Sequence, residues 1–384
     1  MTVRVSSVLR AQAIYPFVRL EEARREVEAR GVRVIDFGIG DPREPTDGRI
    51  RDALVEALPL TGGYPRTTGL PELREAIADW VSRRFGADVD PERQIVPTLG
   101  AKEAIFSLAL LLVDRDAGKD TVVVTEPAYP VPGRGARFAH ADIVALPLRE
   151  DAGFLPDLDA VEADVWRRTA VVWVNYPNNP TCAVAPLSLY ERLAEVAAEY
   201  ELVVASDEAY SELWFDEPAH SALELGDLTG VLAFHSLSKR SSMTGYRSGF
   251  VAGDPELCDA LRAFRPNVGT APQEFVQRAS VVAWSDEEHV ERNRELYRRK
   301  RALLLDVLGR RGLRVAGSAA TMFLWVAVPA GETSEGFAER LLEAGVLVTP
   351  GPYLGPSGAG YVRFALVPTE DVCAEAAERL ETLL

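Results

Sequence analysis

Short apolar runs rich in valine alternate with helical stretches through the middle of the chain, and this alternation constrains the fold more than any other feature. Helical patterns such as Ala101–Val113 and Leu187–Glu199 separate these runs. Continuous apolar strands joined by helices are typical of a parallel sheet whose two faces are both covered. The sequence therefore predicts an α/β fold with three layers around a mainly parallel seven-stranded sheet. The predicted strands are Gln94–Thr98, Thr121–Thr125, Ile143–Pro147, Ala170–Asn175, Leu202–Ser206, Val231–Ser236 and Gly249–Ala252.

The last third of the chain has a different pattern. A long charged helical stretch, Ser285–Arg311, precedes short strands that alternate with helices, which predicts a smaller α+β domain. The N-terminal segment is too short to form a domain, so we expect it to pack against this C-terminal part. We therefore predict a large domain over residues 49–275 and a small domain that combines residues 1–48 with residues 276–384.

Composition excludes several classes of protein. The 384 residues include 42 basic and 58 acidic side chains, and the net charge of −16 argues against a nucleic-acid-binding protein, which needs a basic surface. Three widely separated cysteines fit a reducing cytosol rather than a disulfide scaffold. No apolar run approaches the ~18 residues of a membrane span. We expect a cytoplasmic protein that binds neither membrane nor nucleic acid.

Common catalytic and nucleotide-binding motifs are missing from the sequence. There is no G-x-G-x-x-G after a strand, no Walker-type loop and no G-x-S-x-G elbow. The four histidines lack the spacing of a zinc site, so we expect no metal. Lysine is rare, with only four residues (Lys102, Lys119, Lys239 and Lys300) beside many arginines. What is left to carry chemistry is a site centred on one of these lysines.

The segment from Ser236 to Gly249, S-L-S-K-R-S-S-M-T-G-Y-R-S-G, is the most informative in the chain. It places Lys239 at the end of a predicted strand, among hydroxyl side chains, with Arg247 eight residues further on. A lysine buried in such a place has a lowered pKa and becomes a usable nucleophile. An arginine offers a bidentate fork to a phosphate or a carboxylate. Taken by itself, the segment could equally be a serine-rich surface loop.

This segment matches the signature S-x-S-K-x-x-x-M-T-G-[WY]-R-x-G at every fixed position. The chain thus resembles the fold-type I, pyridoxal-phosphate-dependent aminotransferases of class I and II, and the resemblance runs from Phe37 to Val367. It implies pyridoxal 5′-phosphate as cofactor, Lys239 as the catalytic residue, and a homodimer with shared active sites. One departure is Arg240, where many relatives have threonine, and no function follows from it.

The resemblance also assigns binding residues. Asp207 would pair with the pyridine nitrogen of the cofactor, Tyr129 would stack on its ring, and Tyr64 would reach the phosphate in the neighbouring subunit. The residues expected to bind the cofactor are Tyr64, Gly100, Ala101, Lys102, Tyr129, Asn179, Asp207, Tyr210, Ser236, Ser238 and Arg247. Those expected to bind the substrate are Tyr15, Gly40, Asn179 and Arg363. In this set Arg363 would bind the α-carboxylate.

A second resemblance concerns the substrate. The segment Ala13–Leu20, with Tyr15-Pro16-Phe17, is similar to the N-terminal segment of the N-succinyl-diaminopimelate aminotransferases. It implies glutamate as amino donor and N-succinyl-2-amino-6-oxopimelate as acceptor. A distal carboxylate needs a second cation, because an unpaired buried charge is costly, and Arg19 and Arg265 are the candidates.

Other interpretations stay open from the sequence. Tyr15-Pro16-Phe17 could simply be an apolar strap that anchors the N-terminus. Free LL-diaminopimelate, aspartate or alanine are the alternative substrates, and a pyridoxal-phosphate β-lyase is an alternative on the same scaffold. A cofactor-binding transcriptional regulator is disfavoured, because the chain has neither a spare domain nor basic charge.

Overall fold

The computed structural model describes residues 4–11, 16–60 and 62–383 and contains two main sheets. The strands are β1 (Ile35–Asp36), β2 (Ile95–Thr98), β3 (Thr121–Glu126), β4 (Asp142–Pro147), β5 (Thr169–Asn175), β6 (Val203–Asp207), β7 (Val231–Ser236), β8 (Gly249–Gly253), β9 (Val315–Gly317), β10 (Phe323–Ala327), β11 (Val346–Leu347), β12 (Thr349–Pro350) and β13 (Tyr361–Ala365).

Helices cover these sheets. They are α1 (Ser7–Ala11), α2 (Pro16–Ala29), α3 (Gly48–Glu56), α4 (Pro71–Phe85), α5 (Ala101–Leu112), α6 (Val131–Phe138), α7 (Ala163–Arg168), α8 (Leu187–Tyr200), α9 (Leu237–Arg240), α10 (Pro255–Phe264), α11 (Glu274–Ser285), α12 (Glu288–Arg310), α13 (Ser334–Glu343) and α14 (Glu370–Leu383). In the part of the chain that the structure describes, no helix is both long and apolar enough to cross a bilayer.

The large sheet has seven strands in the order β2-β8-β7-β6-β5-β3-β4. Every pairing is parallel except those of β8, which runs antiparallel to both of its neighbours. All seven strands predicted from the sequence lie in this sheet, with ends displaced by at most one residue. The predicted mainly parallel seven-stranded sheet is therefore confirmed.

Burial on both faces explains why the central strands read as continuous apolar runs. In β5, Val171 and Trp173 pack with α5 on one face, whereas Val172 and Val174 pack with α8 on the other. Because side chains alternate across a strand, a sheet covered on both sides needs apolar residues at every position. The continuous apolar runs in the sequence therefore indicate strands that helices cover on both faces.

The second sheet is antiparallel, with four strands in the order β12-β13-β10-β9, and α12, α13 and α14 contribute to its core. The N-terminal segment joins this unit, since β1 pairs with β11 through Ile35 and Val346, and Phe37 lies in the same core. Packing of the N-terminal segment against the C-terminal part agrees with the sequence-based expectation. The domain boundaries at residues 48/49 and 275/276 stay a prediction.

The long charged helical stretch predicted over Ser285–Arg311 is confirmed as α12 (Glu288–Arg310), which begins three residues later and ends one residue earlier than predicted. Helix α11 ends at Ser285, Asp286 is extended, and α12 starts at Glu288. The Asp286 carboxylate accepts a hydrogen bond from the backbone N–H of His289 at 3.2 Å, which satisfies a donor in the first turn of α12. The dense charges of this stretch begin at Asp286, whereas α11 is mostly apolar, so the sequence pattern locates the start of α12 to within two residues.

At Gly249, β8 lies so close to β7 and to the turn before α5 that a side chain has no room. A Cβ atom at this position would lie 2.4 Å from the His235 carbonyl oxygen and 3.2 Å from the Ala101 backbone nitrogen. We expect Gly249→Ala to lower stability by about 1–3 kcal/mol, because backbone atoms must move apart. The measurement is the midpoint of urea unfolding. Gly133→Ala in α6, where a Cβ meets nothing within 4 Å, is the matched control, and equal midpoints for the two variants would contradict the prediction.

Candidate active site

A cavity of about 530 Å³ lies where β3, β5, β6 and β7 end at the carboxyl edge of the large sheet. Ligands of open α/β sheets bind at this edge. The cavity brings together most of the site residues predicted from the sequence, namely Gly40, Ala101, Lys102, Tyr129, Asn179, Asp207, Tyr210, Ser236, Ser238, Lys239, Arg247 and Arg363. Residues far apart in sequence therefore converge at one place.

Two of the predicted residues that the structure describes, Gly100 and Tyr64, do not line this cavity. Gly100 lies directly behind it, against the Arg247 guanidinium. The side chain of Tyr64 is fully exposed on the chain surface, so it contributes nothing to the cavity of its own subunit. Tyr15 falls outside the described residues. The proposed role of Tyr64 in a neighbouring subunit stays a prediction.

Lys239 lies on the short helix α9, which begins where β7 ends. Ser236 starts this helix by accepting a hydrogen bond from the Ser238 N–H at 3.2 Å. The Lys239 ammonium donates to the carbonyl oxygen of Gly40. Burial lowers the pKa of Lys239 to about 8; the nearby Asp41 carboxylate opposes this shift, and Arg363 and Arg247 add to it. At pH 7 about a tenth of this amine is therefore unprotonated and nucleophilic, far more than for an ordinary lysine.

A cradle for an anion lies at the N-terminus of α5. Gly100 has a φ of +70°, and a Cβ there would lie 2.5 Å from an Arg247 guanidinium nitrogen. That guanidinium is held by the carbonyl oxygens of Thr244 at 2.8 Å and Leu99 at 3.1 Å. The exposed N–H groups of the helix start and its dipole favour a negatively charged ligand. A side chain at position 100 would displace the arginine, so glycine is required.

Asp207 ends β6 as a buried carboxylate. Its Oδ1 accepts a hydrogen bond from the Ala209 N–H at 3.2 Å. Burial raises the pKa of Asp207 to about 7, the Ala209 N–H opposes this rise, and the neighbouring Glu208 adds to it. A buried carboxylate is costly unless a positive group pairs with it, so this position suits a cationic ligand atom.

Arg363 on β13 is also buried, although its strand neighbours are apolar. Its guanidinium donates to Asn179 Oδ1 at 2.7 Å and to the Gly38 carbonyl oxygen at 2.7 Å, and it lies 4.3 Å from the centre of the Phe323 ring. These contacts fix the planar fork at the cavity wall, where it can bind a carboxylate. Gly40 is needed beside it, because a Cβ there would approach the Phe323 ring to 2.9 Å.

The structure does not support the two candidates for binding a distal carboxylate. Arg265 is buried away from the cavity and pairs with Glu103 at 3.1 Å, and Arg19 is exposed. One charged residue that lines the cavity, Asp41, was not predicted from the sequence, whereas Lys102, predicted as part of the phosphate turn, lines it as expected. Burial and the charges of Arg247 and Arg134 lower the pKa of Lys102. The rarity of lysine was the available signal for Lys102.

The cavity fits pyridoxal 5′-phosphate, the cofactor that the resemblance implies. The cradle at Gly100, which a side chain would fill, suits the phosphate, with Ser236, Ser238 and Arg247 beside it. The buried Asp207 carboxylate suits the protonated ring nitrogen, and Asn179 and Tyr210 line the wall where the phenolic oxygen would bind. Lys239 is close enough to the same cavity to hold the cofactor through its amine.

Comparisons with known proteins agree with this fit. The model of the family "Aminotransferase class I and II" matches residues 32–380. The chain is 41% identical over 376 residues to the LL-diaminopimelate aminotransferase of Aquifex aeolicus, and 40% identical over 377 residues to that of Desulforudis audaxviator. These alignments cover 96% of this chain and 96% and 95% of the relatives.

Solved structures give the same result. An aminotransferase from Neisseria meningitidis superposes with a TM-score of 0.91 at 36% identity, covering 99% of this chain and 100% of its own. A probable N-succinyldiaminopimelate aminotransferase from Thermus thermophilus superposes with a TM-score of 0.88 at 34% identity, covering 96% of this chain and 100% of its own.

The surroundings of Lys239 predict which lysine binds the cofactor and how pH affects binding. Borohydride reduction of the holoenzyme, followed by peptide mapping, should place the cofactor on Lys239, and Lys239→Ala should abolish both labelling and transamination with the fold intact. Because only the neutral amine reacts, the rate of cofactor uptake by cofactor-free protein should rise with pH through about 8. Labelling of a different lysine would refute the assignment.

Proposed function

Because the chain belongs to the aminotransferase class I and II family and uses pyridoxal 5′-phosphate, we propose that it is a diaminopimelate-type aminotransferase that acts on free LL-diaminopimelate. The observation that carries this proposal is the charge of the cavity wall. Besides the groups that suit the cofactor and the α-carboxylate, the residues that line the cavity include the oppositely charged, exposed Lys102 and Asp41. These two charges are complementary to a distal carboxylate and a distal ammonium.

The relatives support the free amino acid over the succinylated one. Curated relatives at 37–41% identity over at least nine tenths of the chain carry the name LL-diaminopimelate aminotransferase. Succinylation would convert the distal ammonium into an amide and add a carboxylate, which Asp41 would repel. The N-succinyl substrate, which the sequence analysis favoured, is the second candidate, because the Thermus thermophilus structure is described as a probable enzyme for it.

The arrangement suggests what each side chain does in the reaction. When bound, the cofactor supplies an electron sink for the electrons released at the substrate Cα. Arg363 binds the α-carboxylate and thereby orients the Cα–H bond, with Asn179 holding the guanidinium in place. The neutral amine of Lys239 would then take the proton from the substrate Cα and deliver it to the C4′ carbon of the cofactor. Asp207 would hold the ring nitrogen of the cofactor, and its negative charge would favour the protonated, cationic ring.

Substrate preference tests the proposal directly. We expect kcat/KM for LL-diaminopimelate to exceed kcat/KM for N-succinyl-LL-diaminopimelate, aspartate and alanine, with 2-oxoglutarate as acceptor in each case. The measurement is steady-state kinetics with each donor. A preference for the succinylated substrate would replace the first candidate by the second, and a preference for aspartate or alanine would reject both.

Lys102 is predicted to bind the distal carboxylate. Lys102→Met should lower kcat/KM for LL-diaminopimelate by roughly 10- to 100-fold, because the distal carboxylate loses a charge-assisted hydrogen bond. The kcat/KM for alanine, which has no distal carboxylate, should change little. Lys119→Met is the matched control, because Lys119 binds the Tyr200 carbonyl oxygen outside the cavity. An equal loss for both donors, accompanied by weaker cofactor binding, would instead assign Lys102 to the phosphate.

We also infer a homodimer with shared active sites. The support is a run of exposed apolar side chains in and after α3, at Val55, Leu58 and Leu60, followed by the fully exposed Tyr64. Exposed apolar patches of this kind mark interaction surfaces. A second copy of the chain would cover them and bring Tyr64 to its neighbour's phosphate cradle.

Subunit exchange tests the shared site. Homodimers of Tyr64→Phe should bind the cofactor weakly, and homodimers of Lys239→Ala should be inactive. A mixed dimer contains one site with both native groups, so mixing the two variants should restore part of the activity. Verified exchange of subunits without any recovery would argue against the shared site.

A further inference from the structure

Lys300 is a fully buried lysine that has no place in the site described so far. It lies on α12, and its ammonium donates to Glu44 Oε1 at 2.7 Å and lies 3.4 Å from the Leu366 carbonyl oxygen. Charged side chains are seldom fully buried unless they are paired. The ion pair between Lys300 and Glu44 therefore determines where Glu44 can lie.

Glu44 belongs to a stretch of chain that crosses the active site, residues 38–46, which we name the crossing segment. It contains neither a helix nor a strand. The Gly38 carbonyl oxygen accepts from Arg363 at 2.7 Å and from the Thr349 hydroxyl at 2.7 Å, and the Gly40 carbonyl oxygen accepts from Lys239. Without regular backbone pairing, such contacts and the Lys300–Glu44 pair set its position.

Helix α12 also holds the backbone of Lys239. The side-chain amide of Asn293, two turns before Lys300, donates to the carbonyl oxygens of Lys239 at 3.0 Å and Arg240 at 3.2 Å. Residues seven apart lie on the same face of a helix. One face of α12 thus holds Lys239 through Asn293 and the crossing segment through Lys300.

We propose that Lys300 and Glu44 are positioning residues for Lys239, which act by holding the crossing segment so that the Gly40 carbonyl oxygen and the Asp41 carboxylate face the Lys239 amine. The inference rests on the proposed catalytic role of Lys239. Neither Lys300 nor Glu44 lines the cavity, so neither touches substrate or cofactor there.

The position of the crossing segment also affects the pKa of Lys239. The charged groups around its amine are Asp41, Arg363 and Arg247, and burial is the largest cause of its lowered pKa. If the crossing segment loosens, water reaches the amine. The pKa of Lys239 then rises from about 8 toward its ordinary value of 10.5, even though Asp41 moves away.

The test compares the buried Lys300–Glu44 pair with the exposed Arg299–Glu370 pair, each of which has its basic residue on α12. The variants are Glu44→Gln, Lys300→Met and the double variant, and the controls are Glu370→Gln and Arg299→Met, which break the exposed Arg299–Glu370 pair. In cofactor-free protein, the pH dependence of acylation of Lys239, followed by peptide mapping, gives its pKa. In holoenzyme, kcat and KM are measured with LL-diaminopimelate.

We expect the pKa of Lys239 to rise in the three variants of the buried pair and to stay constant in the controls. We also expect kcat to fall roughly 10- to 100-fold, which is the scale for a misplaced catalytic group. The double variant leaves no unpaired buried charge, so it keeps the test valid if Lys300→Met fails to fold. A folded double variant in which both the pKa of Lys239 and kcat equal those of the controls would overturn the proposal.

Borohydride labelling separates this proposal from the role of Lys239 on which it rests. Labelling of another lysine in the unaltered chain would refute that role. Labelling of Lys239, together with an unchanged pKa and kcat in the folded double variant, would refute only the positioning by Lys300 and Glu44.

Discussion

The active site depends on keeping charged groups away from water at the carboxyl edge of the large sheet. Burial shifts the pKa of Lys239 downward and that of Asp207 upward, and both shifts arise mainly from desolvation. The surrounding chain has to compensate for this cost. Arg363 is satisfied by Asn179 and Gly38, and Arg247 by Thr244 and Leu99. These fixed partners leave the guanidinium groups oriented toward the cavity.

Much of this arrangement can be predicted from the sequence because both the sheet and the motif are local patterns. The strands from β2 to β8 are buried on both faces, and they therefore appear in the sequence as short runs of consecutive apolar residues. The segment around Lys239 is a long motif, and the residues that resemble the family lie at strand ends, where the fold must bring them together. Convergence of Asn179, Asp207 and Lys239 therefore follows once the strands are parallel neighbours.

What the sequence does not reveal depends on contacts between distant parts of the chain. Arg265 and Arg363 are both isolated arginines, yet Arg265 pairs with Glu103 in the interior whereas Arg363 lines the cavity. Arg240 is similar: its buried guanidinium binds Glu287 at 2.7 Å and lies 5.0 Å from the centre of the Trp284 ring. These partners come from the junction of α11 and α12, which lies far from Arg240 in the sequence. Arg240 thus has a structural role that its departure from the family motif did not suggest.

Asp41 connects the two proposals about this chain. Its carboxylate raises the pKa of Lys239 against the effect of burial, and it also lines the cavity where a distal ammonium would bind. Because a bound cation would offset the charge of Asp41, a substrate with such an ammonium would weaken the attraction that keeps Lys239 protonated. The neutral amine, which is the form that we propose takes the Cα proton, would then be favoured when the matching substrate is present. Through its position in the crossing segment, Asp41 would therefore link recognition of the proposed substrate to the protonation of Lys239.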